Sequence, residues 1–402
     1  AGAWIWAGRA VGPTIDVRQP TRFIGQTTAL DVSVESPGGQ FSSVEVVLQQ
    51  GDRAYPIFTL DQPTQGTVRQ ETAERIFIIR PVGKKDVPEL QAGAARIVVR
   101  AARPVLYGLR RATSEVTRDV EVRLEPPAVA VLSSFHFVNH GGAEFVVYRA
   151  TPADVESGVR VGDLTYPGFP AAGVGIKTDA ATKVAFFALL HEQDLNTPIS
   201  LYARDPAGNE ATATLDRRAF PKPFARSRIA IDDRFLERVV PAIAATTPDM
   251  NLSTTPADLA ASFLRINGDL RRRNAQTIAE LARKTSGDML WRGAFQALGN
   301  ASVEAGFADN RTYVYLGKEI DRQVHLGFDL AVTQRIPVLA ANTGVVVYAA
   351  DLGIYGNCVI IDHGLGVQSL YAHLSAIDVK EGARVEKGHV LGRSGTTGLA
   401  GG

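Results

Sequence analysis

From His325 onward, four short runs carry side chains that could do chemistry: His325-Leu326-Gly327-Phe328-Asp329, Asp362-His363-Gly364-Leu365-Gly366, Tyr371-Ala372-His373-Leu374-Ser375 and Ser394-Gly395-Thr396-Thr397-Gly398. Imidazole nitrogen and carboxylate oxygen are usual ligands of a divalent metal such as zinc. His325 and Asp329 lie four residues apart, but Gly327 between them weakens a helix, so a loop or strand end should present both. On spacing alone, chance or an ordinary His–Asp hydrogen bond accounts for the pair better than a metal does. A catalytic zinc takes three protein ligands and a water, and only two candidates stand out here. On a strand, Ser369, Tyr371 and His373 would share one face, presenting a hydroxyl, a phenol and an imidazole in a row. Cys358 lies in the apolar run Asn357-Cys358-Val359-Ile360-Ile361, where a buried inert thiol is expected rather than a nucleophilic thiolate. His136, His140 and His191 have no partner spacing and read as surface or locally bonded residues.

The elements that must position these groups belong to a modular chain. Its 402 residues exceed one ordinary core and suit several domains. Apolar residues make up 45% and charged residues 21%, which argues against wholesale disorder and against a multi-span membrane protein. A formal charge of +1 gives no global field to draw in nucleic acid, so no nucleic-acid partner is expected. The single cysteine excludes an intrachain disulfide and any multi-cysteine metal site. The opening residues are apolar, with Trp4 and Trp6 as an aromatic pair, and the run breaks at Arg9, short of the roughly 20 apolar residues of a spanning helix. Residues 1–12 are therefore expected to be either an ordinary first strand or the outer end of a membrane anchor that precedes residue 1.

The expected fold class is multidomain and mainly β: two β-sandwich modules, a short α-helical connector and a C-terminal antiparallel sheet domain. Period-two alternation runs from about residue 13 to 125, with Leu30, Val32 and Val34 against Asp31, Ser33 and Glu35, and with turn clusters such as Gln50-Gly51-Asp52. These features predict a first sandwich, closed by Pro126-Pro127. Residues 126–220 repeat the pattern, and Tyr202-Ala203-Arg204-Asp205-Pro206-Ala207-Gly208-Asn209-Glu210-Ala211 resembles the last hairpin of bacterial immunoglobulin-like modules. Residues 221–306 turn helical: Ile229, Ile231 and Phe235 begin the change, Thr255 with Pro256 reads as an N-cap with proline at the first helical position, and Met289, Leu290, Phe295 and Leu298 mark a further amphipathic run. This connector could be a rigid spacer or a lid. From residue 307 strands return, separated by glycines.

The string from Ile361 to Ser375, with the His325–Asp329 run before it and Ser394–Gly398 after it, resembles the lysostaphin-type (LytM-like) zinc metallopeptidases over about residues 307–402. The resemblance implies Zn2+ held by His325 and Asp329, and His373 as a catalytic group that does not ligate the metal. His363 and His389 fall outside the metal shell and read as structural. The family carries a His-x-His pair soon after the Ser-Gly-x-Thr-Gly stretch, so the third ligand and the general base are expected just after Gly402. The implied activity is a peptidoglycan endopeptidase acting on the peptide cross-links of the bacterial wall, in the periplasm or otherwise outside the cytoplasm, with stem peptides as substrate. The sandwich modules would hold the site off a membrane, bind a regulatory protein partner or cover the cleft. The alternative implied by the same fold is a catalytically silent activator of a cell-wall amidase. An adhesion or scaffold protein built on immunoglobulin-like modules would leave the motif cluster unexplained.

Overall fold

The structure, a computed structural model, describes residues 10–36, 38, 40–62, 68–72 and 74–401. Trp4, Trp6 and the anchor reading of the first residues lie outside these. No helix among the described residues is long and apolar enough to cross a membrane. The molecule is mainly β, as expected. It divides into two compact units, residues 1–129, 150–157 and 202–213 in one and residues 130–149, 158–201 and 214–402 in the other.

In the first unit, the alternating residues do what their period predicts. Leu30, Val32 and Val34 on Thr28–Glu35 are buried and join Val46, Val99 and Val122 in one apolar cluster. That cluster draws on a four-stranded sheet (Thr14–Gln19, Thr28–Glu35, Arg75–Val82, Val68–Thr72) and a five-stranded one ordered Phe23–Ile24, Arg110–Val122, Gly93–Val105, Ser43–Gln50, Arg53–Thr59. Burying one face of each sheet in a shared core is the most economical use of period-two strands. The Asp205–Asn209 turn is closed by its own side chains: the Asn209 amide N–H donates to Asp205 Oδ1 at 2.8 Å, and Asn209 Nδ2 donates to Oδ2 at 2.9 Å. Gly208 supplies the left-handed φ of +87° that this turn needs.

In the second unit, strands Ala143–Thr151 and Thr182–Ala188 pair antiparallel in a four-stranded sheet, with Val146, Val184 and Phe187 fully buried. The segment read as helical has a different beginning and end. Arg226–Ile231 is a strand, pairing parallel with Asp309–Tyr315, because Ile229 and Ile231 alternate as well as they precede a helix. Helices follow at Asp233–Thr246, Leu259–Arg265 and Arg271–Ala282, the last two joined by a π-turn at Ile266–Leu270. Leu236, Val239, Val240 and Ile243 of the first helix pack with Phe263, Ile266 and Tyr313. Thr255 does not cap the backbone: its hydroxyl and that of Ser253 each donate to Asp258 at 2.7 Å and hold that carboxyl below its usual range. The run Met289–Leu298 forms no helix. It is an irregular strap whose polar backbone is satisfied by the neighbouring sheet domain, through Leu290 N–H to His363 O (2.8 Å), Gln296 N–H to Ala341 O (2.9 Å) and the Asn342 side chain. Apolar spacing at i, i+1, i+6 suits a strap packed on a surface as well as a helix.

The C-terminal sheet has six antiparallel strands in the order Pro337–Leu339, Val390–Ser394, Gln368–Ile377, Asn357–Asp362, Gly344–Asp351, Arg384–Val385. Its central strand Asn357–Asp362 is buried on both faces: Val359 and Ile361 pack with Val338, Val346, Leu374 and Leu391, while Cys358 and Ile360 meet Ile278 and Leu281 of the third helix.

Candidate active site

His325 ends the strand Lys318–His325, and Asp329 begins the strand Asp329–Ala331. The first is paired with Asp309 across an antiparallel hairpin, and its carbonyl accepts the Ala308 N–H at 2.7 Å. The second is paired with Ala305. The three residues between leave Leu326 and Phe328 exposed, and the two strand ends bring His325 Nε2 to 3.2 Å from Asp329 Oδ1. The expectation that strand ends, not a helix, present the pair agrees with this geometry.

The proton positions follow from the partners. His325 Nδ1 lies 3.3 Å from the carbonyl oxygen of Gly306, which can only accept, so Nδ1 carries the hydrogen. In the neutral ring, Nε2 then offers a lone pair toward a carboxylate that also has only lone pairs. Either a second proton or a cation must lie between them, which is the donor chemistry a divalent metal uses. Asp329 Oδ2 is held separately, by Arg311 Nη2 at 2.5 Å. Burial alone would raise the Asp329 carboxyl, but the hydrogen bonds from His325, when Nε2 carries that second proton, and from Arg311 outweigh it and hold the group well below the usual carboxylate range. It is an anion at any working pH. Among the described residues, no group of three or more His, Cys, Asp or Glu side chains is placed to hold one ion.

His373 reaches the same place from the six-stranded sheet, but not as simple alternation predicts. Ser369 and Tyr371 do share a face, with their hydroxyls 2.9 Å apart. Beyond them the register with Asn357–Asp362 shifts between the pairs Val359↔Tyr371 and Asn357↔Leu374, and His373 has a φ of +58°. This bulge takes His373 out of the row; bulges that re-aim a side chain are common beside functional sites. Its Nδ1 donates to the Thr397 carbonyl at 2.7 Å, and Nε2 has no hydrogen-bond partner among the described residues. The imidazole lies within electrostatic reach of both Asp329 and His325. Burial pulls its pKa down, against the Thr397 bond and the Asp329 charge, so the ring is neutral near pH 7 with its free lone pair at Nε2.

The glycine-rich run Ser394–Gly398 explains itself here. Thr397 Oγ1 accepts from the Asn357 N–H (3.0 Å) and donates to the Leu374 carbonyl (2.9 Å), pinning the loop beside the bulge so that its own carbonyl meets His373. A Cβ on Gly356 would lie 2.3 Å from Thr397 Oγ1, so only glycine allows this approach. The chain then continues to Leu399, whose N–H donates to Ile354 O, and Arg238 of the first helix binds the carbonyls of Ala400 and Gly401.

Sequence reasoning missed Arg311, the Gly306 carbonyl and the Thr397 carbonyl. Backbone acceptors leave no residue-type signal, and Arg311 lies 18 positions from its partner. His363 is fully buried, with Nδ1 at 2.7 Å from Thr343 O and Nε2 at 2.7 Å from Ser369 Oγ.

Comparison with known proteins names the class. Peptidase family M23 matches residues 323–402, so the C-terminal part of the chain is an M23 (LytM-type) peptidase domain. The DD-carboxypeptidase/endopeptidase Mpg of Neisseria meningitidis serogroup B is 46% identical over 76 residues, 19% of this chain and 17% of that protein. The peptidoglycan DD-endopeptidase ShyA of Vibrio cholerae is 42% identical over 74 residues, 18% of this chain and 17% of that protein. The match thus spans about a sixth of each relative's length. A solved M23 peptidase from Pseudomonas aeruginosa aligns over 65% of this chain and 84% of its own, at 19% identity and a TM-score of 0.36.

Proposed function

We propose that the protein is a zinc-dependent endopeptidase that hydrolyses peptide cross-links of bacterial peptidoglycan outside the cytoplasm. The observation that supports this reading best is the facing of His325 Nε2 and Asp329 Oδ1 at 3.2 Å, with the neutral imidazole of His373 within electrostatic reach of them. His325 and Asp329 would hold the metal together with a further protein ligand, and the bound zinc would supply a Lewis acid and an acidified water. The rest falls to this chain's own groups. The Gly306 carbonyl fixes the His325 tautomer so that the Nε2 lone pair would be available to the ion. Thr397 fixes the His373 tautomer, and His373 Nε2 takes or returns the proton that moves as a peptide carbonyl becomes tetrahedral, or donates to its oxygen. The relatives Mpg and ShyA are named as endopeptidases, which supports a stem-peptide substrate.

The two N-terminal sheet modules, about residues 13–125 and 126–220, are read as immunoglobulin-like sandwiches that position the peptidase or bind a regulatory partner. The test is zinc content and cleavage of cross-linked muropeptides by the full-length gene product. About one zinc per protein with release of uncross-linked peptides supports the reading. A protein that folds, takes up no zinc and stimulates a wall amidase instead would replace it with the silent-activator reading.

A further inference from the structure

Arg311 sits on the strand Asp309–Tyr315 and uses its guanidinium on two carboxylates at once. Nη2 donates to Asp329 Oδ2 at 2.5 Å, and Nε donates to Asp309 Oδ2 at 3.3 Å. Asp309 is itself only 3% exposed, and its other oxygen accepts from the Ser227 hydroxyl at 2.9 Å. Ser227 belongs to Arg226–Ile231, the strand that pairs parallel with Asp309–Tyr315. One chain of hydrogen bonds therefore runs Ser227, Asp309, Arg311, Asp329, His325, Gly306. Each carboxylate in it is held by one oxygen from either side.

We infer that Arg311 is a positioning residue for the metal site: it occupies Oδ2 of Asp329, so that Oδ1 alone turns toward His325 and the carboxylate ligates through one oxygen. This rests on the zinc reading above. Three features of the geometry carry it. The guanidinium is planar and presents Nε and Nη2 in fixed relation, so its attachment to buried Asp309 sets where Nη2 points. Asp329 lies at the start of a three-residue strand, Asp329–Ala331, and Arg311 is the only hydrogen-bond partner of its Oδ2 among the described residues. Arg311 and Asp309 are two apart on one strand, so both project to the same face and the bridge is built into the backbone. Lysine, a point charge with one nitrogen, cannot span both carboxylates.

The test is the zinc affinity of the full-length protein, measured by competition with a chromophoric chelator, for the parent, Arg311→Lys and the double variant Arg311→Met/Asp309→Asn. The double variant strands no buried carboxylate, and a cooperative melt of the metal-free form checks that it folds. Partners of ligating residues typically contribute about 10–100-fold to metal affinity. The double variant is expected to bind zinc weaker by that factor, and Arg311→Lys to recover part of the loss. If both bind within about twofold of the parent, the inference is overturned. Should the double variant not fold, Arg311→Lys decides: several-fold weaker binding supports the role and parental affinity refutes it. A parent that takes up no zinc removes the proposed function and this inference together, a result distinct from equal affinities.

Discussion

Two histidines on one strand pair meet opposite fates. His363, just past the end of Asn357–Asp362, is fully buried and spends both ring nitrogens, on Thr343 O and on Ser369 Oγ, with Ser369 passing the chain on to Tyr371 and Tyr371 to the Ala341 N–H. His373, toward the other end of the hairpin, spends one nitrogen on Thr397, keeps the other free of hydrogen-bond partners among the described residues, and lies within electrostatic reach of a carboxylate and a second imidazole. A buried network with every member satisfied makes a rigid core and no chemistry. A ring whose tautomer is fixed on one side and whose lone pair is free on the other is what proton transfer requires. The difference lies in the partner of the second nitrogen, not in burial or in residue type.

That contrast can be broken most severely at His325 and Asp329, the pair proposed to hold zinc. Asp329→Ala removes the anion opposite His325 Nε2 and is expected to abolish stoichiometric zinc and, with it, muropeptide cleavage; metal analysis showing about one retained zinc would refute the assignment. His373→Ala should lower turnover by about a hundredfold or more while zinc content stays near one, because in the proposed mechanism the group acts on the reacting atoms and not on the metal. Loss of zinc in that variant would make His373 a ligand after all.

At the other end the expected effect is on stability. His363→Ala leaves the Thr343 carbonyl and the Ser369 hydroxyl without their partner and should cost about 2–4 kcal/mol, read by denaturant unfolding, with zinc affinity unchanged within about twofold. Burial lowers the His363 pKa in the folded protein, opposed by the Thr343 bond. The unfolded chain therefore binds a proton that the folded one refuses, and stability should fall as pH drops below the ordinary histidine value of about 6.5. The variant should lose its share of that slope, while the share from His373, whose shift has the same sign, remains. An unchanged slope would show that His363 does not refuse the proton. The smallest effect concerns Cys358. Burial pushes its thiol up to about 12, so at pH 8 it is protonated and shielded. Iodoacetamide should label it slowly in native protein and rapidly in urea, and equal rates would show an open core.

Much of this was readable along the chain because it is local. Period-two runs such as Leu30 to Glu35 bury their alternate apolar residues, and His325 and Asp329 fall within five consecutive residues. Misreadings occurred where a distant partner competes with local preference. Ile229 and Ile231 became strand because Asp309–Tyr315 offers a parallel edge some eighty residues on. Met289–Leu298 stayed irregular because Ala341, Asn342 and His363 satisfy its backbone better than a helix would. The expected row Ser369, Tyr371, His373 ended at a bulge set by pairing with Asn357–Asp362, which no spacing in the row announces.

The sequence by itself determined which side chains could act and that His325 and Asp329 lie close along the chain, since both follow from residue type and a spacing of four. Only the tertiary structure decided the protonation chemistry. Gly306 O, Thr397 O and Arg311 come from separate strands and loops, and which nitrogen keeps a hydrogen and which oxygen stays free depends on acceptors that the fold alone brings within hydrogen-bonding distance.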